Sequence, residues 1–433
     1  MINNSYNQRQ DLLAERIVRG KILGNGGEVL ARTEVDSDGN EKRVYPYDNL
    51  FVHVVGRFSK GKTGIEQSEN FNLLTSSSNI FMNFITEMSG DKNTGDNIVT
   101  TLDVKLQKTA YDALGNRKGA VVVIDPGTGK ILAMVSKPDY NPNTVAKDWD
   151  KLVENSDNNS ALLNRAAQGL YAPGSTFKIL TALEYIREHN GDEDYNFTCN
   201  GKDSFSGVSI SCYGKKKHGK EDLKASFANS CNTSFAHIGT LLDQGRFRSL
   251  CDSFLFNGPL PVNFPYKESH FVIDSESDPS ELPQTAIGQG KIQMSPLHNA
   301  MIVSSVANNG VLMKPYVVDR IEDKDGGVVK KYMPSVYGEL MTSKEANILA
   351  DYMKAVITEG TGRKLKTDQY TAAGKTGSAE YNSAKDSHSW FVGFAPADKP
   401  QIAVSVIVEE GGTGSEYAVP IAKKIFDAYL SGK

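Results

Sequence analysis

The stretch Tyr171-Ala172-Pro173-Gly174-Ser175-Thr176-Phe177-Lys178 decides the fold and the chemistry that we expect of this chain. It places a hydroxyl and a primary amine on one face of a helix, where a Pro-Gly turn meets an apolar run. A serine hydroxyl attacks a carbonyl poorly unless a neighbouring base removes its proton. Lysine is such a base only when burial or nearby positive charge lowers the pKa of its amine. The apolar residues after Lys178 predict a buried helix that supplies this desolvation.

The spacing alone is weak evidence, because Ser-x-x-Lys occurs three times in the chain. Ser59–Lys62 and Ser89–Lys92 lie in polar stretches with no apolar helix behind them, and we interpret both as chance matches. The third match is followed by two further groups in a fixed order. These are Ser230-Cys231-Asn232 and then Lys375-Thr376-Gly377, which lies within the small-residue stretch 372–380. The combination predicts an active site built from three separate segments.

Length and composition set limits on the class of protein. The 433 residues can form two or three domains with ample core. Apolar residues make up 39% and charged residues 23%, which is ordinary for a globular protein. A net charge of −4 without a dense basic cluster gives no reason to expect nucleic-acid binding. No stretch approaches the roughly 18 apolar residues that span a bilayer.

The four cysteines are Cys199, Cys212, Cys231 and Cys251. Cys231 lies between two candidate catalytic residues, and we expect a small buried side chain there. Cys199 and Cys212 bracket a short loop that closes as a disulfide in an oxidising compartment or stays reduced. The seven histidines show no metal-ligand spacing and Cys-x-x-Cys is missing, so we expect neither a metal site nor a cofactor.

The organisation along the chain changes near Thr100. Residues 1–98 are polar and irregular in pattern, whereas residues 99–433 contain clear periodic segments. The predicted elements are a helix over 102–114, strands over 119–125 and 130–136, strands over 389–394 and 401–408, and a helix over 419–430. Two hairpins with helices between them in sequence predict an α+β fold, an antiparallel sheet with helices on its faces. We therefore expect a non-catalytic module over 1–98 and a catalytic domain over 99–433.

The three motifs together resemble those of the class B penicillin-binding proteins, D,D-transpeptidases that cross-link peptidoglycan. The resemblance extends over nearly the whole chain. Asp125–Pro138 is similar to the first hairpin of the family's transpeptidase domain, and Gly288-Gln289-Gly290 to the segment before its third motif. The region around Arg43-Val44-Tyr45-Pro46 is most similar to the penicillin-binding protein A branch, although Gly24-Asn25 replaces the Asp-Arg of many relatives. The resemblance implies a penicilloyl-serine transferase fold with a small dimerisation or pedestal-like N-terminal module.

The resemblance also implies a role for each motif residue. Ser175 attacks the penultimate D-Ala carbonyl of a stem peptide and carries the acyl group, while neutral Lys178 takes its proton. Ser230 relays a proton toward the leaving amine, and Asn232 bonds the amide side of the substrate. Lys375 adds positive potential, which lowers the pKa of Lys178 and attracts the terminal carboxylate.

The third motif is expected to bind the end of the substrate. Thr376 and Ser378, with Gly377 between them, bond the carboxylate. The backbone N–H groups of Ser175 and Ser378 form an oxyanion hole, where one lost donor typically costs ~10²–10³ in rate. The small residues around Lys375 let a peptide lie alongside as an added strand.

The expected partners are peptidoglycan stem peptides, β-lactam antibiotics and a membrane glycan polymerase of the SEDS type, with no nucleic acid. The expected location is the extracytoplasmic face of the bacterial cell membrane, held by a single N-terminal anchor outside this sequence. Four other classes of protein share these motifs. They are a serine β-lactamase, which needs a base to activate water, a hydrolysing D,D-carboxypeptidase, a β-lactam-sensing receptor and an inactive scaffold. The complete set of motif residues argues against the scaffold.

Overall fold

The computed structural model describes residues 14–78, 84, 88–154, 160–191, 194–380 and 386–431. The helices are α1 (Gly64–Ser68), α2 (Asn70–Leu73), α3 (Val104–Leu114), α4 (Val145–Glu154), α5 (Arg165–Gln168), α6 (Lys178–Glu188), α7 (Leu223–Ala228), α8 (Asn232–Leu241), α9 (Gln244–Ser253), α10 (Leu282–Ala286), α11 (Pro296–Ala307), α12 (Ser343–Thr358) and α13 (Ala418–Leu430). Among the described residues, no helix combines the length and the apolar character that crossing a bilayer requires.

The strands are short in the first hundred residues and longer near the end of the chain. They are β1 (Ile17–Val18), β2 (Ile22–Leu23), β3 (Val29–Val35), β4 (Glu41–Val44), β5 (Asn93–Thr94), β6 (Asn97–Thr100), β7 (Gly119–Ile124), β8 (Ile131–Lys137), β9 (Phe197–Cys199), β10 (Lys202–Phe205), β11 (Val208–Ser211), β12 (Gly219–Glu221), β13 (Val311–Met313), β14 (Val318–Glu322), β15 (Val328–Lys331), β16 (Val336–Glu339), β17 (Ala373–Ala379), β18 (His388–Ala395) and β19 (Ile402–Val408).

A five-stranded antiparallel sheet of order β17-β18-β19-β7-β8 forms the centre of the larger part of the molecule. Side chains alternate between the two faces of a strand. Val121 of β7 packs in the core cluster that contains Ile425 of α13, whereas Val122 packs with Leu297 of α11. Helices therefore cover both faces of the sheet, and the predicted α+β architecture is confirmed.

The predicted elements are confirmed to within two residues at their ends. Both hairpins form, and the strand pairs β7–β8 and β18–β19 are antiparallel. The first predicted helix begins at Val104 because the Asp103 carboxylate caps it, accepting a hydrogen bond from Leu106 N at 2.9 Å. The last helix runs over Ala418–Leu430, one residue earlier than expected.

The region before residue 98 is more regular than its sequence suggests. Its strands join a six-stranded sheet of order β15-β14-β6-β2-β3-β4, in which Thr100 of β6 pairs with Val318 of β14. One apolar cluster contains Ile22 and Phe51 from this region together with Trp390 of the central sheet. The two regions therefore share a sheet and a core. The periodicity was hidden because these strands are short, bulged and partly charged.

A buried charged cluster accounts for some of the polar character of the N-terminal region. The Glu66 carboxylate is fully buried and lies 2.7 Å from Nε of both Arg19 and Arg43. Burial alone would raise the pKa of Glu66, but the charges of Arg43 and Arg19 outweigh it and hold the pKa below its ordinary value. Charged residues therefore form part of the buried core in this region. A hydrophobicity pattern cannot predict such a core, because it assigns charged residues to the surface.

Candidate active site

The first motif forms a tight turn against the edge strand of the central sheet. Ser175 lies in the 3₁₀ turn Gly174–Phe177, and α6 begins at Lys178. Gly174 has φ of +53°, and a Cβ there would lie 2.7 Å from the carbonyl oxygen of Ser378. Only glycine permits this approach without strain. The turn thereby places the half-buried Ser175 beside β17.

The Lys178 amine is fully buried and points at the second motif. Its Nζ donates to the backbone oxygen of Ser230 at 2.9 Å and to Oδ1 of Asn232 at 2.8 Å, and it lies 3.4 Å from the Ser230 hydroxyl. All three partners belong to the second motif, whereas the spacing of the first motif had suggested that the amine contacts Ser175. Contacts of this kind often tighten only when substrate binds. Burial lowers the pKa of Lys178 to about 8.

The second motif is held in a strained turn between α7 and α8. Ser230 has φ of +55°, which is unusual for a residue with a Cβ, and its N–H donates to Phe227 O at 3.1 Å. Asn232 begins α8, and its Nδ2 donates to Ser211 O at 3.0 Å. Strain of this kind is concentrated at functional sites. Here it turns the Ser230 hydroxyl toward the two lysines.

The third motif brings a second buried amine to the same hydroxyl. Nζ of Lys375 donates to Oγ of Ser230 at 2.8 Å and to Thr376 O at 3.2 Å. Burial, followed by the charge of Lys178, lowers the pKa of Lys375 well below its ordinary value. The repulsion between the two amines that we expected therefore appears in the lowered pKa of Lys375. Because repulsion between two charges is mutual, the site disfavours the state with both amines protonated.

The remaining residues of the third motif line β17 next to the serine turn. The Thr376 hydroxyl is 2.5 Å from that of Thr361. A Cβ on Gly377 would lie 3.1 Å from Cγ2 of Thr176, so this glycine permits close packing of the two motifs. Oγ of the half-buried Ser378 accepts a long hydrogen bond from Gly414 N at 3.4 Å. Strand β17 is at the edge of its sheet, as a peptide-binding strand requires.

Two residues that contact the motifs were missed from the sequence. Thr361 contacts Thr376, and Asn299 of α11 donates to the Thr176 hydroxyl at 3.0 Å. The flanking glycines in Gly360-Thr361-Gly362 are a signal for close packing, since a Cβ on Gly360 would lie 2.1 Å from Ala228 O. Nothing in the local sequence marks Asn299.

The cysteines also lie near this site. Cys199 and Cys212 are free thiols with their Sγ atoms 3.7 Å apart, so the disulfide that the sequence left open is not formed. Cys231 is fully buried, as expected. It contacts Cys212, and His218 lies against the same group. These residues lie within positions 199–231, where neither the histidine spacing nor a Cys-x-x-Cys pattern had indicated such a cluster.

A serine hydroxyl beside an edge strand, with two buried amines that share a second hydroxyl, is equipped for acyl transfer through a serine ester. Comparison with known proteins agrees with this class. The family model described as penicillin binding protein transpeptidase domain matches residues 119–427. The model described as penicillin binding protein A dimerisation domain matches residues 19–98. The chain belongs to the penicillin-binding protein transpeptidase family.

Relatives of this chain align over nearly its whole length. It is 32% identical to the peptidoglycan D,D-transpeptidase PbpA of Mycolicibacterium smegmatis, over 95% of this chain and 89% of that protein. The D,D-transpeptidase domain of a peptidoglycan glycosyltransferase from Eggerthella lenta superposes with a TM-score of 0.88 at 32% identity, covering 96% and 99% of the two chains. The imipenem acyl-enzyme of penicillin-binding protein A from M. tuberculosis gives 0.87 at 30% identity, covering 95% and 98%.

Proposed function

We propose that the protein is a peptidoglycan D,D-transpeptidase in which Ser175 forms an acyl-enzyme with a stem peptide. The observation that carries this proposal is the Ser230 hydroxyl placed between two buried amines, 2.8 Å from Lys375 Nζ and 3.4 Å from Lys178 Nζ. A pKa of about 8 leaves a useful fraction of Lys178 neutral near neutral pH. This is the state that accepts a proton from Ser175.

In the proposed reaction, Oγ of Ser175 bonds to the penultimate D-Ala carbonyl carbon as its proton passes to Lys178. The bond to the terminal D-Ala nitrogen then breaks, and Ser230 passes a proton to that nitrogen and recovers one from Lys178. The nitrogen of an acceptor amine from a second stem peptide then bonds to the ester carbonyl carbon and gives up a proton, the bond from that carbon to Ser175 Oγ breaks, and Oγ regains a proton. The Lys178 amine and the Ser230 hydroxyl, which take part in these proton transfers, lie 3.4 Å apart.

Substrate binding is assigned to the second and third motifs. The carboxylate would be held by Thr376 and Ser378 and by the charge of Lys375, whose protonated form a nearby anion favours. Asn232 would bond the amide side, and the N–H groups of Ser175 and Ser378 would stabilise the oxyanion. The proximity of the serine turn to β17, which Gly174 permits, supports this pairing of donors.

The domain roles belong to the same proposal. Residues 1–98 act as a non-catalytic positioning module, and residues 99–433 carry the chemistry. We also propose a membrane glycan polymerase of the SEDS type as partner and the extracytoplasmic face of the cell membrane as location, with an N-terminal anchor. The matches to the transpeptidase and dimerisation-domain models support the division into two regions, and the partner, location and anchor are what the resemblance to the class B penicillin-binding proteins implies.

Hydrolytic alternatives use the same acyl-enzyme and differ in its fate. A β-lactamase needs a base that activates water. The partners of the Lys178 amine among the described residues are a backbone oxygen, an amide oxygen and a hydroxyl, and none of them is a carboxylate. This favours transfer of the acyl group from Ser175 to an amine over rapid hydrolysis of the acyl-enzyme.

Intact-mass spectrometry after incubation with benzylpenicillin tests the nucleophile and the class together. We expect the wild-type protein to gain the mass of one penicilloyl group and Ser175→Ala to gain none while remaining folded. Ser59→Ala and Ser89→Ala are matched controls, since each removes a serine of the same spacing outside the site, and both should be acylated normally. A folded Ser175→Ala protein that is still acylated at the wild-type rate would disprove the assignment.

A further inference from the structure

The turn that follows α12 lies between the second and the third motif. It is formed by the segment Gly360-Thr361-Gly362. Thr361 N donates to the backbone oxygen of Ala228 at 3.2 Å, two residues before Ser230. A Cβ on Gly360 would lie 2.1 Å from the same oxygen, so this close approach requires glycine. The turn is therefore held against the end of α7, at a fixed position beside the second motif.

The side chain of Thr361 contacts the third motif. Its hydroxyl lies 2.5 Å from Oγ1 of Thr376 on β17, within hydrogen-bond range. Thr376 is only 5% exposed, so water has little access to its hydroxyl. Among the described residues, no other side chain makes a hydrogen bond with this hydroxyl. Thr361 therefore controls the direction in which the Thr376 proton points.

This control matters when Thr376 binds an anion. A hydroxyl has one proton to donate and two lone pairs that accept. In the proposed function, Thr376 gives its proton to the terminal carboxylate of the substrate. Its oxygen then only accepts, so the contact with Thr361 uses the Thr361 proton. The resulting chain of hydrogen bonds runs from Thr361 through Thr376 to the carboxylate, and each bond polarises the next.

We propose that Thr361 is a positioning residue that determines the preference of this site for substrates with a free terminal carboxylate. Thr361 acts on the substrate through Thr376. The inference rests on the proposed function, because that function assigns the Thr376 hydroxyl to the carboxylate. A substrate with an ester in place of the carboxylate gains less from the oriented hydroxyl, since hydrogen bonds to charged groups are stronger than those to neutral groups.

A purely structural role for Thr361 predicts a different result. Loosening the turn would displace Ala228 and with it the turn of Ser230, which slows acylation by every substrate to the same extent. Loss of the oriented hydroxyl slows acylation mainly by substrates that carry the carboxylate. Valine separates the two roles, because it has nearly the shape of threonine, lacks the hydroxyl, and keeps the backbone contact with Ala228.

The test compares benzylpenicillin with its methyl ester, which differ in the carboxylate alone. The second-order rate constant of acylation is measured for both, and the ratio of acid to ester is the readout. Thr361→Val should lower this ratio by about three- to tenfold, the usual contribution of one hydrogen bond. Thr361→Ser should restore it to within about twofold of the wild-type value. The control is Thr358→Val, which removes an exposed hydroxyl that bonds Lys354 O at 3.3 Å, and it should leave the ratio unchanged.

A double-mutant cycle tests whether the effect passes through Thr376. Thr376→Val should also lower the ratio, and adding Thr361→Val to it should change the ratio little further. An unchanged ratio in folded Thr361→Val protein overturns the proposal. Equal losses with acid and ester, or a full second loss in the double variant, overturn it as well. Should Thr361→Val unfold, Thr361→Ala takes its place under the same criteria.

A binding measurement separates this inference from the proposed function. Ser175→Ala protein forms no acyl-enzyme, and saturation-transfer NMR reports its equilibrium binding of the two penicillins. Adding Thr361→Val should weaken binding of the acid by about three- to tenfold and that of the ester by less than about twofold. Equal binding of the acid with and without Thr361→Val overturns the positioning role. Failure of the wild-type protein to be acylated would refute the proposed function, and the binding test would still decide the role of Thr361.

Discussion

Nζ of Lys375 lies 2.8 Å from Oγ of Ser230, and this contact joins the edge strand β17 to the turn before α8. The same hydroxyl is 3.4 Å from the amine of Lys178. Both amines are fully buried, so neither can exchange these partners for water. The hydroxyl therefore has two functions in one position. It accepts a hydrogen bond from the buried amine of Lys375, and it lies beside the amine of Lys178, which we propose as the base.

We predict that Ser230→Ala and Lys375→Ala each slow acylation by penicillin by ~10²–10⁴-fold, the usual contribution of a proton-transfer group. The double variant should lose much less than the product of the two effects, because each single change already breaks the shared contact. The measurement is the second-order acylation rate constant with a fluorescent penicillin. Lys366→Ala, at an exposed lysine, is the control. Strictly multiplicative losses would show that the two groups act independently.

The pH dependence of acylation should report the pKa of Lys178. The folded protein holds this pKa at about 8, below the ordinary lysine value, because the amine is desolvated. Below this pH the amine is mostly protonated and cannot accept the serine proton. The rate should therefore rise with pH up to about 8 and level off above it. The profile is measured from about pH 6 to pH 10, corrected for penicillin hydrolysis in buffer. A profile still rising steeply at pH 10 would contradict an active neutral Lys178.

The central sheet was predictable because its strands are long and nearly all apolar. Both hairpins and helices 104–114 and 418–430 follow from periodicity and turn residues. Ser175, Lys178 and Lys375 were chosen as candidates because the three motifs follow one another in a fixed order along the chain. The partner of the Lys178 amine could not be predicted from the sequence, because it depends on the positive φ of Ser230, which the tertiary structure imposes. The grouping of Cys199, Cys212 and His218 was not predicted either, because it depends on how the strands β9, β11 and β12 fold back on one another.

The acyl-enzyme should persist for minutes to hours. Among the described residues, the hydrogen-bond partners of the Lys178 amine include no carboxylate, so none of these partners can activate water as the base of a β-lactamase does. We expect a stoichiometric burst of nitrocefin opening followed by a slow steady state. Ser175→Ala should show no burst. This variant is the control for nitrocefin opening that does not involve Ser175. Fast multiple turnover would instead place the enzyme with the β-lactamases.

A protein comprising residues 99–433 should still be acylated but should be less stable than the full chain. The motif residues and their contacts all lie after residue 98, which supports retained reactivity. The cut, however, divides β6 and removes Ile22 and Phe51 from the core that they share with Trp390. Burying one large apolar side chain stabilises the folded state by about 1.5–3 kcal/mol, so exposing the neighbours of these two residues should lower the melting temperature clearly.

Glu66→Ala in the full chain is a useful comparison for the truncated protein. It leaves two buried arginines without their carboxylate, while the apolar contacts between the two regions stay in place. It should lower stability without changing the acylation rate. Circular dichroism establishes folding, and the acylation rate constant is compared with that of the full chain. A folded but unreactive fragment would mean that the N-terminal module completes the active site.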